Sequence, residues 1–150
     1  MRVFSDPDSL RAAKGETLGS SGWHTITQQQ VDRFADATGD HQWIHVDPDR
    51  AASGPFGGTI AHGYLTLSIL PALGQEIYRF EGFRMGINYG LNKVRFPSPV
   101  KVGARVRSHA ELRDVVDVPQ GIQLVIATTV EVEGEDKPAC VAEALVLLVP

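Results

Sequence analysis

Apolar positions change period about halfway along the chain. In residues 27–38, Val31, Phe34, Ala35 and Thr38 recur at helical spacing and share one face. Thr27 followed by Gln30 reads as a capping box, and Gly39 ends the helix. A short second helix is predicted after Asp47, which suits the cap, with Pro48 in the first helical position. SGPFGG, Ser53 to Gly58, is a loop by its glycines and proline. From Ala61 to Phe80, Leu65, Leu67, Ile69, Leu70, Leu73 and Ile77 surround the predicted helix rather than forming one stripe, which marks a buried element. Pro71 should kink it, because proline removes a backbone donor and clashes with the preceding turn.

Beyond that helix the pattern alternates. RVRSHAELRDVV, GIQLVIATTVEVEG and ACVAEALVLLV are β-branched or alternating runs broken by turn residues. With a strand near residues 86–96 they predict an antiparallel meander. One apolar helix followed by such a meander implies an α+β domain with the sheet wrapped around the helix. At 150 residues the chain reads as one domain, 1–150, large enough to bury a core without staples.

Composition narrows the function classes. Hydrophobic residues at 43% and charged residues at 21% are ordinary globular usage and argue against disorder. The single cysteine, Cys140, excludes an internal disulfide framework and reads as a small buried hydrophobe. A net charge of -4 does not suit nucleic-acid binding. No apolar run approaches the roughly 20 residues that span a bilayer. MRVFSDPDSLRAAKGE lacks a signal-peptide pattern, so a cytoplasmic location is expected and no membrane partner. Lys93, Arg95, Lys101, Arg105 and Arg107 form a local basic stripe, either a solvated strand face or a holder of phosphates.

Two polar clusters could carry chemistry. In GDHQWIHVDP, Asp40 and His45 follow directly on a helix end, and an extended turn would aim both at one cavity. A carboxylate beside an imidazole can hold a water and move protons in both directions. On spacing alone an ordinary helix-terminal aspartate is the better fit. In GTIAHGYL, His62 and Gly63 open the apolar helix, where unpaired N–H groups and a partial positive charge suit a developing oxyanion. The same residues fit plain capping and close packing. His41 beside Asp40 suggests a metal site with His45, but no third ligand with firm spacing is evident, so no metal is expected.

Together the clusters are more specific. GDHQWIHVDPDRA, then IAHGYLTLSIL, then KVRFPSPVKVG resemble the MaoC-like dehydratase family, which includes the (R)-specific enoyl-coenzyme A hydratases and the nodulation-protein-N-like proteins. The resemblance runs from about Gly15 to Val149. It implies a hot-dog fold, an antiparallel sheet around a long central helix, assembled as a homodimer. It also implies Asp40 and His45 as the catalytic pair and the Gly63 amide as the oxyanion donor. Gln42, His62, Lys93 and Arg95 then read as substrate-binding. Two departures stand out: Gln42-Trp43 replaces the family's Asn-Pro, a form that looks like the nodulation-protein-N-like branch, and Pro71 stands where some hydratases carry a serine.

The activity this implies is hydration of a trans-2-enoyl-CoA thioester to the (R)-3-hydroxyacyl product, with no cofactor. His45 would be the main base and Asp40 would orient the water and protonate C2, or the reverse, since coupled groups share protons. The alternatives are a hot-dog acyl-CoA thioesterase, because fold does not fix function, and a non-catalytic acyl-binding subunit.

Overall fold

The computed structural model describes residues 1–150. The amino-terminal part supplies β1 (Arg2–Phe4), α1 (Pro7–Ala12), β2 (Thr17–Ser20) and β3 (His24–Thr25). Five helices follow: α2 (Gln28–Thr38), α3 (Trp43–Val46), α4 (Pro48–Ala52), α5 (Gly63–Ser68) and α6 (Leu70–Gly74). The remainder is strand: β4 (Tyr78–Phe80), β5 (Met85–Arg95), β6 (Arg105–Val118), β7 (Gly121–Val132) and β8 (Cys140–Val149).

The N-caps predicted for α2 and α4 form, although Gln30 does not return its side chain to Thr27 and so leaves the capping box half made. Thr27 Oγ1 accepts the Gln30 N–H at 3.1 Å, and Gly39 closes α2 in the left-handed region at φ 81°. Asp47 accepts the Arg50 N–H at 3.1 Å, with Pro48 opening α4. Val31 and Ala35 are buried with Phe34 packed beside them, whereas Thr38 lies outside and returns its hydroxyl to the Phe34 carbonyl.

The meander is antiparallel, in the order β2-β6-β7-β8-β5, with β3 also on β6. Alternation decides its faces. Ile122, Leu124, Ile126, Val130 and Val132 of β7 are buried toward the helices, while Arg107, Glu111 and Glu131 of the outer face form ion pairs. One core cluster, around Leu10, Leu112 and Leu124, packs under α1 and β4; a second, around Val31, Leu65 and Val130, packs under α2 and α5. Cys140 sits fully buried in the second, and desolvation pushes its thiol up to about 11. This is the α+β hot-dog arrangement that the sequence predicts.

The central helix departs from expectation. It is two short helices, α5 and α6, joined at Ile69, and it stops at Gly74 rather than Phe80. Pro71 has no N–H to give the Leu67 carbonyl, so the ladder breaks just ahead of it. Tyr78 to Phe80 leave as β4 and pair in parallel with β1, a partner far away in sequence. Nor is this segment buried all round, since Tyr64 is 70% exposed. The open side continues onto β5, the edge strand, where Met85, Ile87, Tyr89 and Leu91 are exposed.

The β6–β7 hairpin turns through Pro119 and Gln120 into Gly121, at φ 151°. A Cβ there would lie 2.0 Å from the Leu148 carbonyl oxygen, so both backbone strain and a neighbouring strand oppose any side chain. Gly121→Ala should cost at least about 1–3 kcal/mol. In a domain of this size that lowers the melting temperature by several degrees, and a thermal melt of the variant beside wild type measures it.

Candidate active site

Asp40 and His45 do converge, though not through an extended turn. Gly39 reverses the chain at the end of α2, Asp40 stays exposed, and Trp43 to Val46 then wind one helical turn that carries His45 inward. That turn is held from both sides. Gln28 of α2 donates to the His45 carbonyl at 2.7 Å and accepts the Thr59 hydroxyl at 2.6 Å, while the Ile60 N–H reaches the Ile44 carbonyl at 3.0 Å. Trp43 sits under the Arg50 guanidinium at 4.3 Å and against Gly54, where a Cβ would lie 3.0 Å from the indole. The bulk of Trp43 thus braces the turn in which the resembling family carries proline.

The His45 ring is 6% exposed. Its Nδ1 lies 2.7 Å from the Ile60 carbonyl oxygen, which can only accept, so Nδ1 bears the proton and Nε2 a free lone pair. Desolvation holds its pKa below the ordinary histidine value; the nearby His62 adds to this, against the Ile60 bond and Asp40, which pull it up. At neutral pH the ring is an uncharged base with its basic nitrogen defined. The Asp40 carboxylate accepts weakly from the Gln42 N–H at 3.4 Å, and the group remains open to solvent.

His62, read from sequence as touching substrate, lies behind the pair. It is 3% exposed, its ring stacks on His45 with centroids 3.8 Å apart and planes 24° apart, and Phe34 packs against it at 4.9 Å. Its Nε2–H donates to the Asp40 backbone carbonyl at 2.9 Å. Gly63 then opens α5, whose amino terminus no side chain caps. A Cβ on Gly63 would lie 3.0 Å from the Phe96 ring, so glycine is what lets Phe96 close on this backbone. Phe96 falls within KVRFPSPVKVG, but nothing in that run marks it as a residue of the site. Ser68 is exposed and bonds the Tyr64 carbonyl at 2.6 Å, away from the pair.

Asp40, His45 and His62 each offer one donor atom within 4.8 Å of the others. Zinc at about 2.1 Å from two imidazoles needs their in-plane lone pairs to converge. Stacked rings aim them side by side, so the set fits proton transfer better than coordination. His41 turns outward to Asp36 at 2.9 Å and takes no part.

The other expected contacts lie further out. Gln42 is exposed at the start of α3. Arg105 and Arg107 of the basic stripe are bound to Glu133 and Glu131, which makes that part a solvated ion-pair face. Lys93 and Arg95, at the end of β5, line an outer groove of about 340 Å³ with His109 and Arg113. A larger cavity of about 450 Å³ went unread in the sequence because non-local pairing builds it. It lies between α6, β4 and the inner sheet face, lined by Leu70, Tyr78, Phe83, Ala110, Ala144 and Val146. None of its lining residues belongs to the Asp40–His45 pair, but α5 leads from Gly63 toward α6, whose Leu70 and Pro71 line it.

Comparison with known proteins finds relatives over nearly the whole chain. The family profile described as MaoC like domain matches residues 9–134. Over 147 residues the chain is 60% identical to 3-hydroxyacyl-thioester dehydratase Z of Mycobacterium tuberculosis, covering 97% of each. It is 48% identical over 139 residues to nodulation protein N of Rhizobium leguminosarum, covering 89% of this chain and 85% of that one. Among solved structures, an (R)-hydratase from A. caviae involved in PHA biosynthesis superposes with a TM-score of 0.74 at 25% identity, covering 91% of this chain and 96% of that one.

Proposed function

Because the chain belongs to the MaoC-like dehydratase family and is an enzyme of its hydratase and dehydratase chemistry, we propose that it adds water reversibly across the double bond of a trans-2-enoyl-CoA thioester, giving the (R)-3-hydroxyacyl product. The observation that carries this reading is the neutral His45 ring, its Nδ1–H spent on Ile60 and its Nε2 lone pair free, beside the exposed Asp40. His45 Nε2 takes a proton from a water whose oxygen attacks C3. The electron pair of the double bond moves onto the thioester oxygen, where the Gly63 N–H receives the negative charge. The proton taken by His45 crosses the pair to the Asp40 carboxylate, which hands it to C2 as the enolate collapses, so both groups end the turnover as they began. General acid–base help is worth roughly 10²–10⁴-fold and one oxyanion donor about 10²–10³.

In this reading the acyl tail follows α5 toward the 450 Å³ cavity. Lys93 and Arg95 meet the phosphates of the carrier, with Gln42 at the mouth of the site. A thioesterase would need only one carboxylate to direct water at the carbonyl; the paired, tautomer-fixed His45 supports hydration instead. The test is an assay of purified protein on short to long trans-2-enoyl thioesters. The expected result is loss of the enoyl absorbance, a product oxidised only by an R-specific dehydrogenase, and no free coenzyme A. Activity should survive dialysis against a chelator. Release of coenzyme A with the double bond intact would transfer the site to thioester hydrolysis.

The same reading includes a homodimer. Strand β5, paired with β8 on one side, offers its other edge beside exposed Ile87, Tyr89, Leu91 and Tyr64, and a second copy covers both at once. Light scattering should give twice the 16.3 kDa chain mass. A monomer at micromolar concentration would refute the dimer.

A further inference from the structure

We infer that His62 is the positioning residue of the Asp40–His45 pair, fixing the distance between acid and base by clamping one to its Nε2–H and carrying the other on its ring. This rests on the hydratase reading for its catalytic arm only. The two contacts reach different members of the pair. Nε2–H holds the Asp40 carbonyl at 2.9 Å, so the turn that presents the carboxylate is tied at its own residue. The ring face lies 3.8 Å under the His45 imidazole, whose other anchor is the Ile60 carbonyl. The other anchors of α3, Gln28 and Ile60, bind at or beside His45 and make no bond to Asp40, so His62 is the group that joins acid to base.

The tautomer follows from the same bonds. With Nε2–H given to a carbonyl, His62 keeps its lone pair on Nδ1, and that atom is the one buried side-chain polar atom without a hydrogen-bond partner. Leaving it so costs free energy that an apolar ring would not incur. A phenylalanine would pack as well against Phe34 and the His45 ring, so packing does not account for histidine here. The Nε2–H donor does.

His62 also acts on the base electrically. The ionisable groups that bear on the His45 ring are His62, which opposes its protonation, and Asp40, which favours it. From α2 it meets Gln28, an uncharged amide, and His41 is turned away to Asp36. Removing His62 while keeping an aromatic ring should therefore leave the burial of His45 in place and raise its titration midpoint.

The experiment is His62→Phe, read in two ways. Turnover of a trans-2-enoyl thioester should fall roughly 10–100-fold through loss of alignment, with KM little changed. The His45 ring, followed by ¹H–¹⁵N NMR without substrate, should titrate at higher pH than in wild type. A folded variant with turnover within about threefold of wild type, or with an unmoved His45 midpoint, overturns the inference. If the phenylalanine variant does not fold, His62→Leu, which also lacks the donor, is read by the same two measures. Wild-type protein supplies a third arm: its ¹⁵N shifts should show the His62 proton on Nε2, and a proton on Nδ1 overturns the clamp. Should wild type hydrate no enoyl thioester, the proposed reaction fails, while the two NMR arms still decide the role of His62.

Discussion

Asp40→Asn and His45→Gln should each lower hydration turnover by roughly two to four orders of magnitude, and the double variant should fall little below the worse single one. The non-additivity follows from geometry. In the proposed mechanism Asp40 and His45 address one water from two sides, so either loss leaves the survivor with no proton to exchange. Asp40 is exposed and bonds only weakly to its neighbour, so its amide should hardly change the melting temperature. His45 is different, because its ring donates to Ile60 and stacks on His62. Its loss should cost about 1–3 kcal/mol of stability as well as activity. Steady-state kinetics on all four proteins, with melts alongside, gives the complete cycle. Near-normal turnover in Asp40→Asn would sink the mechanism and return Asp40 to the status of a helix-terminus residue.

The second large effect is expected at Gly63, where the proposed mechanism makes the backbone itself the reagent. Gly63 is the first residue of α5, a position at which proline is well tolerated. His62 before it has φ -59° and ψ 137°, the extended conformation that a following proline demands. Gly63→Pro should thus keep the helix and delete only the N–H, lowering turnover about 10²–10³-fold. The added carbons meet Phe96, which a Cβ would approach to 3.0 Å, so the change belongs in a Phe96→Leu background. Gly63→Ala in that background restores the N–H with a comparable side chain and should recover most of the rate. Equal turnover for the proline and alanine variants would remove the amide from the mechanism.

Local signals in the sequence were the ones that held. Thr27, Gly39, Asp47 and Pro48 act within a few residues of themselves, so the bounds of α2 and α4 were legible. The alternation in β6 and β7 was legible for the same reason. Helix α3 was not, because four residues, WIHV, carry no period, and the turn depends on Gln28 and Ile60 from elsewhere. The end of α6 was misplaced because Tyr78 to Phe80 are drawn off by β1, some seventy residues earlier, a partner that apolar periodicity cannot announce. In the site, the residue types of the pair were readable from spacing and resemblance. The tautomer of His45, the inward turn of His62 and the closure of Phe96 on Gly63 were not, since each depends on a contact between separate elements.

Cys140, the only thiol, has a bearing on how the reaction can be watched. It is fully enclosed, and burial raises its pKa to about 11, so near neutral pH almost none of it is thiolate, the form that attacks disulfide dyes. Native protein should therefore be silent to such a reagent. Any colour that develops during turnover reports sulfur set free from the substrate, and the native enzyme can be monitored continuously for thioester cleavage without blocking or replacing its own cysteine.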